Sequence, residues 1–473
     1  MKILLVNPPV GFSYYNIGIR RPPLGLAYLA ALLRDRHDVT ISDFSVAKLG
    51  KIPWKKFPYS NYDVVGISVD TARYPVSLRI ARLAKEQGAT VVMGGPHVSF
   101  MDQEALESGV VDYVVRNEGE YSFSALVDFL AGEALLENAK GISYLSNGTL
   151  TRAADMPFIE DLDSLPFPAR ELLPLGRYNE TMNGRLMTTL VTSRGCPFNC
   201  KFCASSEFFG VHWRARSVDS ILEEVDSLYE QYGYRALCFT EDNFTLNSER
   251  AIELSERLLS RGRDLIWEAW SRVDTIVKNP KMVRTMARSG FKWTFLGFES
   301  GSQEVLDGYG KKALAQDALR AMEILDANDV RVTGAFILGA TNETGRTIKE
   351  TINFAKALNP SKVQFSILTP YPGTELYERT KDRLLTNDWG KFTALDPVIR
   401  LDHISPWRLG GYLLAAYASF YLRPKKAVEN IRYIVKTFPG IIKFMTPKLY
   451  QEGRKYFRYV PLFAKKLIAG KYF

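Results

Sequence analysis

MTTLVTSRGCPFNCKFC, residues 187–203, decides the fold. It opens as a β-rich run, MTTLVTS (187–193), and ends in a loop that sets Cys196, Cys200 and Cys203 within eight residues. Gly195 and Pro197 supply the turns. A strand that ends in ligand-type residues is how parallel sheets and barrels present their chemistry. Three thiols this close can wrap one inorganic cluster. Structural cysteines are apolar singles within strands or helices, as Cys238 is in ALCFTED (236–242). Zinc is the competing reading, but it wants four ligands, commonly as paired cysteines. Cys238 or His212 could be the fourth, and neither belongs to a second compact pair. An iron–sulfur cluster on three thiols keeps one iron open. The spacing favours the cluster, and zinc stays as the alternative.

Downstream, the strand–helix alternation continues. IWEAW (266–270), WTFLGFES (293–300), VTGAFILG (332–339) and VQFSILTP (363–370) read as strands, with helical patterns such as SILEEVDSLYEQYG and AIELSERLLSRG between them. Six βα units over about 190 residues predict a partial (β/α)6 parallel barrel with functional residues just beyond each strand. Upstream, Ile3–Asn7, Val39–Phe44, Val64–Val69, Thr90–Met93 and Tyr113–Val115 alternate with two helical stretches. That is the pattern of a doubly wound parallel sheet, whose ligands bind beyond the carboxyl ends of its strands. The loops expected there hold Asn7, Pro8, Ser68, Asp70, Gly94, Gly95, His97, Glu118, Gly119 and Glu120. The resulting α/β division is a sheet domain over 1–135, a proline-rich connector over 136–185 laid across a surface, a barrel over 186–395 and a helical, basic region over 396–473.

Composition is that of an ordinary globular chain: 473 residues, 46% apolar and 24% charged, with four cysteines. No signal-peptide pattern and no membrane-length apolar run is read at the N-terminus or elsewhere, which points to a cytoplasmic chain with reduced thiols. The charge is uneven. Residues 423–473 hold 13 Lys or Arg against Glu429 and Glu452, a net +11, whereas the whole chain is +9. Ten aromatic residues share that stretch. Such a segment suits peripheral contact with an anionic inner-membrane surface. Nucleic acid is the less favoured partner, and a solvated helical cap is the plain structural reading.

Cys-x3-Cys-x2-Cys with Phe202 before its last cysteine resembles the signature of the radical S-adenosylmethionine enzymes. Phe239–Phe244, Trp270–Asp274, Gly297–Gly301 and Thr369–Thr374 follow in the order of that superfamily's strand-end segments. Gly94-Gly95-Pro96-His97 and Glu118-Gly119-Glu120 resemble the cobalamin-binding domain fused to one large subgroup. The resemblance covers residues 1 to about 395. It implies a 4Fe–4S cluster on Cys196, Cys200 and Cys203, whose open iron chelates S-adenosylmethionine. An electron then cleaves a carbon–sulfur bond to give methionine and a 5′-deoxyadenosyl radical, which takes hydrogen from an unactivated carbon. It places backbone near Phe202 at the adenine, Glu241 and Asp242 at the methionine amino end, Arg272 at the carboxylate and Glu299 at the ribose, with Ser300 also among the S-adenosylmethionine contacts. It implies cobalamin over the first sheet. No Asp-x-His-x-x-Gly loop is present, which argues against a histidine below the cobalt.

The leading functional expectation is methylation or other remodelling of a bulky apolar substrate: a membrane lipid, a hopanoid or a tetrapyrrole. The electron donor would be a flavodoxin or ferredoxin. Trp407, Tyr412, Tyr417, Phe420 and Tyr421 are candidate pocket walls. The alternatives are radical ring formation, ring contraction or coupling without methyl transfer; an RNA- or peptide-modifying radical enzyme; and a zinc-bearing nucleic-acid-binding protein. A second cysteine group, expected of sulfur-inserting RNA-modifying relatives, is absent from the sequence.

Overall fold

The computed structural model describes residues 1–9, 20–46, 53–311, 314–424 and 426. Apart from Arg423, Pro424 and Lys426, the basic segment therefore lies outside the described residues. Residues 1–414 form one compact unit and 415–473 a second.

The first sheet has seven strands: β1 (Lys2–Asn7), β2 (Asp38–Asp43), β3 (Val64–Ser68), β4 (Thr90–Gly94), β5 (Tyr113–Val115), β6 (Ile142–Ser146) and β7 (Thr149–Arg152). Their order is β2-β1-β3-β4-β5-β6-β7. The first five are parallel, and β6 and β7 close the edge antiparallel. Strand order reverses between β1 and β3, the crevice where such sheets hold ligands. β1 is KILLVN, and Ile3, Leu4, Leu5 and Val6 are fully buried because helices cover both faces. On one face the helix Leu24–Leu33, rich in the strong helix formers Ala and Leu, packs beside the helix Gly119–Leu130. On the other, the helix Tyr74–Glu86 packs with Phe392 and Trp389 into a second core.

The connector departs from expectation. Its first part supplies β6 and β7, so the sheet runs beyond residue 135 to Arg152. Its later part is not laid over a surface: Ile159, Leu162, Leu165, Ala169, Leu173 and Tyr178 are buried. The prolines set the local turns, while the apolar residues between them fill the space under the segment. Arg170 is buried too, donating to Glu224 at 2.8 Å and to the Thr189 carbonyl at 2.8 Å.

The second sheet begins with the hairpin β8 (Thr181–Met182) and β9 (Arg185–Leu190). The short β10 (Ser193–Arg194) and β11 (Arg214–Ala215) pair only with each other. Then follow β12 (Ala236–Phe239), β13 (Ile266–Ser271), β14 (Phe291–Glu299), β15 (Arg331–Leu338) and β16 (Lys362–Ile367). The order β16-β15-β14-β13-β12-β9-β8 comprises six parallel strands and the antiparallel β8, a curled half-barrel sheet. Helices start where capping predicts: Ser217 accepts from the Ser220 N–H before Val218–Glu230, and Thr344 with Thr347 form a capping box before Gly345–Leu358.

Strand alternation sorts the half-barrel's residues. Phe239, Trp267 and Phe291 stack with Phe244 on the helix-covered side. Phe298, Phe336 and Phe365 continue that layer. The opposite, concave side carries Cys238, Glu268, Trp270, Phe295, Thr333, Ile337 and Ser366. A final helix spans Pro406–Tyr421; within it Trp407 is exposed and Phe420 buried.

Candidate functional site

The cysteine loop leaves β10 at Arg194 and returns to β11 at Arg214, so a two-residue antiparallel ladder staples its base. Gly195 has φ +82°, and a Cβ there would lie 2.1 Å from the His212 carbonyl oxygen, which only glycine permits. Lys201 ties the loop to the barrel from both backbone groups: its N–H donates to the Tyr309 carbonyl at 3.1 Å, and its carbonyl accepts from the Leu376 N–H at 2.9 Å. Phe202 meets the Tyr309 ring edge-on at 5.1 Å, within a cluster with Val305, Ala340 and Leu368. Arg272, just past β13, lays its guanidinium 3.5 Å from the centre of the Phe198 ring. Strand ends and loop thus converge on one rim.

Burial pushes the Cys196 thiol up, and pushes Cys203 up to about 11, with the nearby Asp242 carboxylate adding to both. Thiolates in such surroundings need a cation to balance them, which a bound iron cluster supplies. Among the described residues, no three His, Cys, Asp or Glu side chains converge on a point that would hold a single ion. Three thiols on one short loop, with no second compact pair, are the donor set of a cluster that keeps one iron open. Of the two possible fourth ligands, Cys238 is buried within β12, and the side chain of His212, at the base of the loop, is exposed beside Glu160.

The rim also carries buried polar atoms without a hydrogen-bond partner among the described residues. These are Glu241 Oε2, Asn243 Nδ2, Arg272 Nη2, Tyr309 Oη and Glu343 Oε1. Buried polar groups are normally paired, so a set of unpaired ones at strand ends is the mark of a polar ligand's seat. Glu241 binds Thr192 through its other oxygen, and burial pushes its carboxyl up. Asp242 accepts from Ser205 and is likewise pushed up by burial. Glu299, at φ +60°, is ion-paired with Lys311, whose Nζ also donates to the Gly297 carbonyl at 2.7 Å. Glu343 accepts from the Gly339 and Ala340 N–H groups, and burial pushes it up to about 7.

Phe202, Glu241, Asp242, Arg272 and Glu299 are therefore brought to one rim with the three thiols. The Ser300 hydroxyl lies 2.9 Å from the Thr351 hydroxyl and accepts from the Ser302 N–H. Asn243, Tyr309, Lys311 and Glu343 escaped the sequence reading. Asn243 directly follows the Glu241–Asp242 pair, and Glu343 carries the signal of an acid four residues beyond Gly339 in a strand-end loop.

The crest of the first sheet is organised differently. Asn7 donates to Asp43 at 2.8 Å and accepts from Arg73 at 2.6 Å. Asp70 caps the turn Thr71–Arg73 and pairs with Arg73. His97 is only 1% exposed, between the Tyr74 and Trp389 rings, and burial lowers its pKa to about 3. It is a neutral core residue. Glu118 and Glu120 are buried and hold Arg194 and Arg214 of the cysteine-loop base. Asn7, Asp70, Glu118 and Glu120 thus have partners inside the protein, whereas His97 Nε2 is buried without one among the described residues. Pro8, Ser68, Gly94 and Gly119 stay at the strand ends. A Cβ on Gly95, at φ +110°, would meet the Val69 carbonyl at 2.8 Å, so this glycine lets two crest loops touch. Such a crest fits a large cofactor held through backbone groups at the β1–β3 switch point.

Comparison with known proteins agrees with this geometry. The profile described as Radical SAM superfamily matches residues 190–355, and that of the B12 binding domain matches residues 16–127. An uncharacterized methyltransferase of Pyrococcus horikoshii is 40% identical over 442 residues, spanning 91% of this chain and 95% of its own. An anaerobic magnesium-protoporphyrin IX monomethyl ester cyclase of Rubrivivax gelatinosus is 26% identical, spanning 96% and 85%. A hopanoid C-3 methylase of Methylococcus capsulatus is 27% identical, spanning 84% and 76%. The solved structure of the cobalamin-dependent S-adenosylmethionine radical enzyme OxsB shares the fold, with a TM-score of 0.73, 20% identity and coverage of 92% and 70%.

Proposed function

Because the chain belongs to the radical SAM superfamily, in its form with a B12-binding domain, we propose that it alkylates or closes a ring on an unactivated carbon of a flat or bulky apolar molecule. The cofactors of this enzyme architecture are a 4Fe–4S cluster, S-adenosylmethionine and cobalamin. When bound they supply one-electron cleavage of a carbon–sulfur bond, a carbon radical and a methyl carrier, chemistry no side chain performs. Cys196, Cys200 and Cys203 would hold the cluster. Arg272 would pair with the substrate-like carboxylate of S-adenosylmethionine, Glu241 and Asp242 would accept from its ammonium, and Phe202 would lie against the adenine. Lys311 holds Glu299 in place beside the ribose. At the first sheet, backbone at Pro8, Ser68, Gly94, Gly95 and Gly119 would carry the cobalamin.

The observation that carries the substrate class is the concave wall of the half-barrel. Trp270 and Phe295 stand there with ring centres 5.3 Å apart, both half-buried. Half-buried aromatic faces beside a radical site exclude water and stack on a flat ring system. A tetrapyrrole, a hopanoid or another membrane lipid meets that description. The 26% likeness to a ring-forming cyclase over 472 residues favours ring closure as the second reading. A low-potential donor such as a flavodoxin or ferredoxin would deliver the electron, and residues 423–473 would bring the enzyme to a membrane surface.

The test is a mass-spectrometric comparison of lipid and pigment extracts from cells with and without the gene, grown on methyl-deuterated methionine. A product carrying whole labelled methyl groups supports methyl transfer. A new ring or unsaturation without label supports ring closure. Unchanged extracts overturn the substrate class and send the search to RNA and peptides.

A further inference from the structure

Two acids and two arginines form a buried knot between the two cofactor regions. Arg194 precedes Cys196 by two residues, and Arg214 lies opposite it on the paired strand, so the pair grips both ends of the cysteine loop. Glu118 and Glu120 flank Gly119, at the start of the helix that follows β5 on the first sheet's crest. Arg194 donates to Glu118 at 2.9 Å and to Glu120 at 2.5 Å, and Arg214 donates to Glu118 at 2.8 Å. The connector is threaded through the same knot: the Ile159 N–H donates to Glu118 at 2.8 Å, and the Ile159 carbonyl accepts from Arg214 at 2.7 Å. All four charged side chains are more than nine-tenths buried.

Buried ion pairs are poor devices for stability, since desolvation offsets most of their attraction, whereas they fix geometry well. We infer that Glu118 and Glu120 are positioning residues that link the cluster loop to the cobalamin crest, so that filling one cofactor site orders the other. This rests on the cofactor assignment above. Assembly of a cluster orders residues 196–203, the β10–β11 ladder transmits that order to Arg194 and Arg214, and the arginines hold Glu118 and Glu120 at the crest. Cobalamin then meets loops already in place, and by linkage the gain is reciprocal.

The full-length chain, prepared with and without a reconstituted cluster, is titrated with hydroxocobalamin and followed by visible absorption. The wild type is expected to bind it about fivefold or more tightly with the cluster present, the range of ordinary coupling. Glu120→Gln, which removes one charge and leaves the Glu118 hub intact, brings the ratio of the two affinities to near one. Glu120→Asp, which keeps the charge, restores part of it. A purely structural role for the knot would weaken both affinities equally and leave the ratio at the wild-type value, which overturns the inference. A wild-type ratio of one overturns it as well. Failure of hydroxocobalamin to bind either form overturns the cobalamin assignment and the inference together, whereas binding without coupling overturns the inference alone.

Discussion

The two crests of this protein stand at the carboxyl ends of two parallel sheets, and they treat their polar residues in opposite ways. On the half-barrel, Glu241, Asn243, Arg272, Tyr309 and Glu343 each keep a buried polar atom unpaired among the described residues. On the first sheet, Asn7, Asp70, Glu118 and Glu120 spend their side chains on Asp43, Arg73, Arg194 and Arg214, and the unpaired buried atoms there, His97 Nε2 and Tyr74 Oη, belong to neutral groups packed among aromatic rings. A small charged ligand needs side chains held open for it, because charge-assisted hydrogen bonds carry its recognition. A large ring cofactor can be carried by backbone and shape, which frees the crest's acids to join the two regions. A shared parallel strand direction therefore does not imply shared site chemistry.

The strongest way to break this contrast is at the thiols. Cys200→Ala is expected to abolish cluster assembly, read as iron per chain, and with it all formation of 5′-deoxyadenosine, while far-ultraviolet dichroism stays that of the folded protein. Normal iron in this variant would remove the ligand assignment. Next in size is the knot. Glu118→Ala leaves Arg214 buried without its charge partner and is expected to lower unfolding stability by about 3–5 kcal/mol. A loss under about 1 kcal/mol in urea titration would mean the acids are not structural and return them to the ligand list.

Glu343 sharpens the comparison through pH. Its folded pKa, about 7, lies above the ordinary 4.5, so between those values the folded chain keeps a proton that the unfolded chain has lost. Stability must then fall as pH rises through that window, by about 3 kcal/mol for this group. The wild type, measured against Glu343→Gln, is expected to lose that amount between pH 4.5 and 8; a constant difference would mean the carboxyl is already ionised. Smaller again is Arg272→Met, expected to weaken S-adenosylmethionine about ten- to a hundredfold in KM while iron content is kept, the worth of one charge-assisted hydrogen bond. The smallest effect concerns the basic segment. Deleting residues 423–473 is expected to weaken binding to anionic vesicles without slowing 5′-deoxyadenosine formation, and unchanged vesicle binding would leave that segment a solvated cap.

Much of the architecture was legible because its signals are local. Hydrophobic runs and helical periodicity placed β1 to β5 and the six parallel strands of the half-barrel within a few residues, and three thiols in eight residues announced their own site. Where reading failed, the cause was contact across long sequence separations. β6 and β7 were hidden in the connector because short, half-exposed edge strands lack a strong alternation. Glu118 and Glu120 looked like ligand residues since an acidic pair beside glycine on a crest has that form, and their partners lie more than seventy residues away. His97, after Gly-Gly-Pro, had the same misleading position, and only the Tyr74 and Trp389 rings around it make it core.

Residue order alone determined the class of the sheets, the cysteine loop and the family, because each depends on spacing within a strand, a turn or a short motif. Tertiary structure decided which acids remain open and which are closed. That choice depends on where an oppositely charged partner arrives when the chain folds. Desolvation makes it decisive, since a buried carboxylate must find a partner within hydrogen-bond distance or wait for a ligand to supply one.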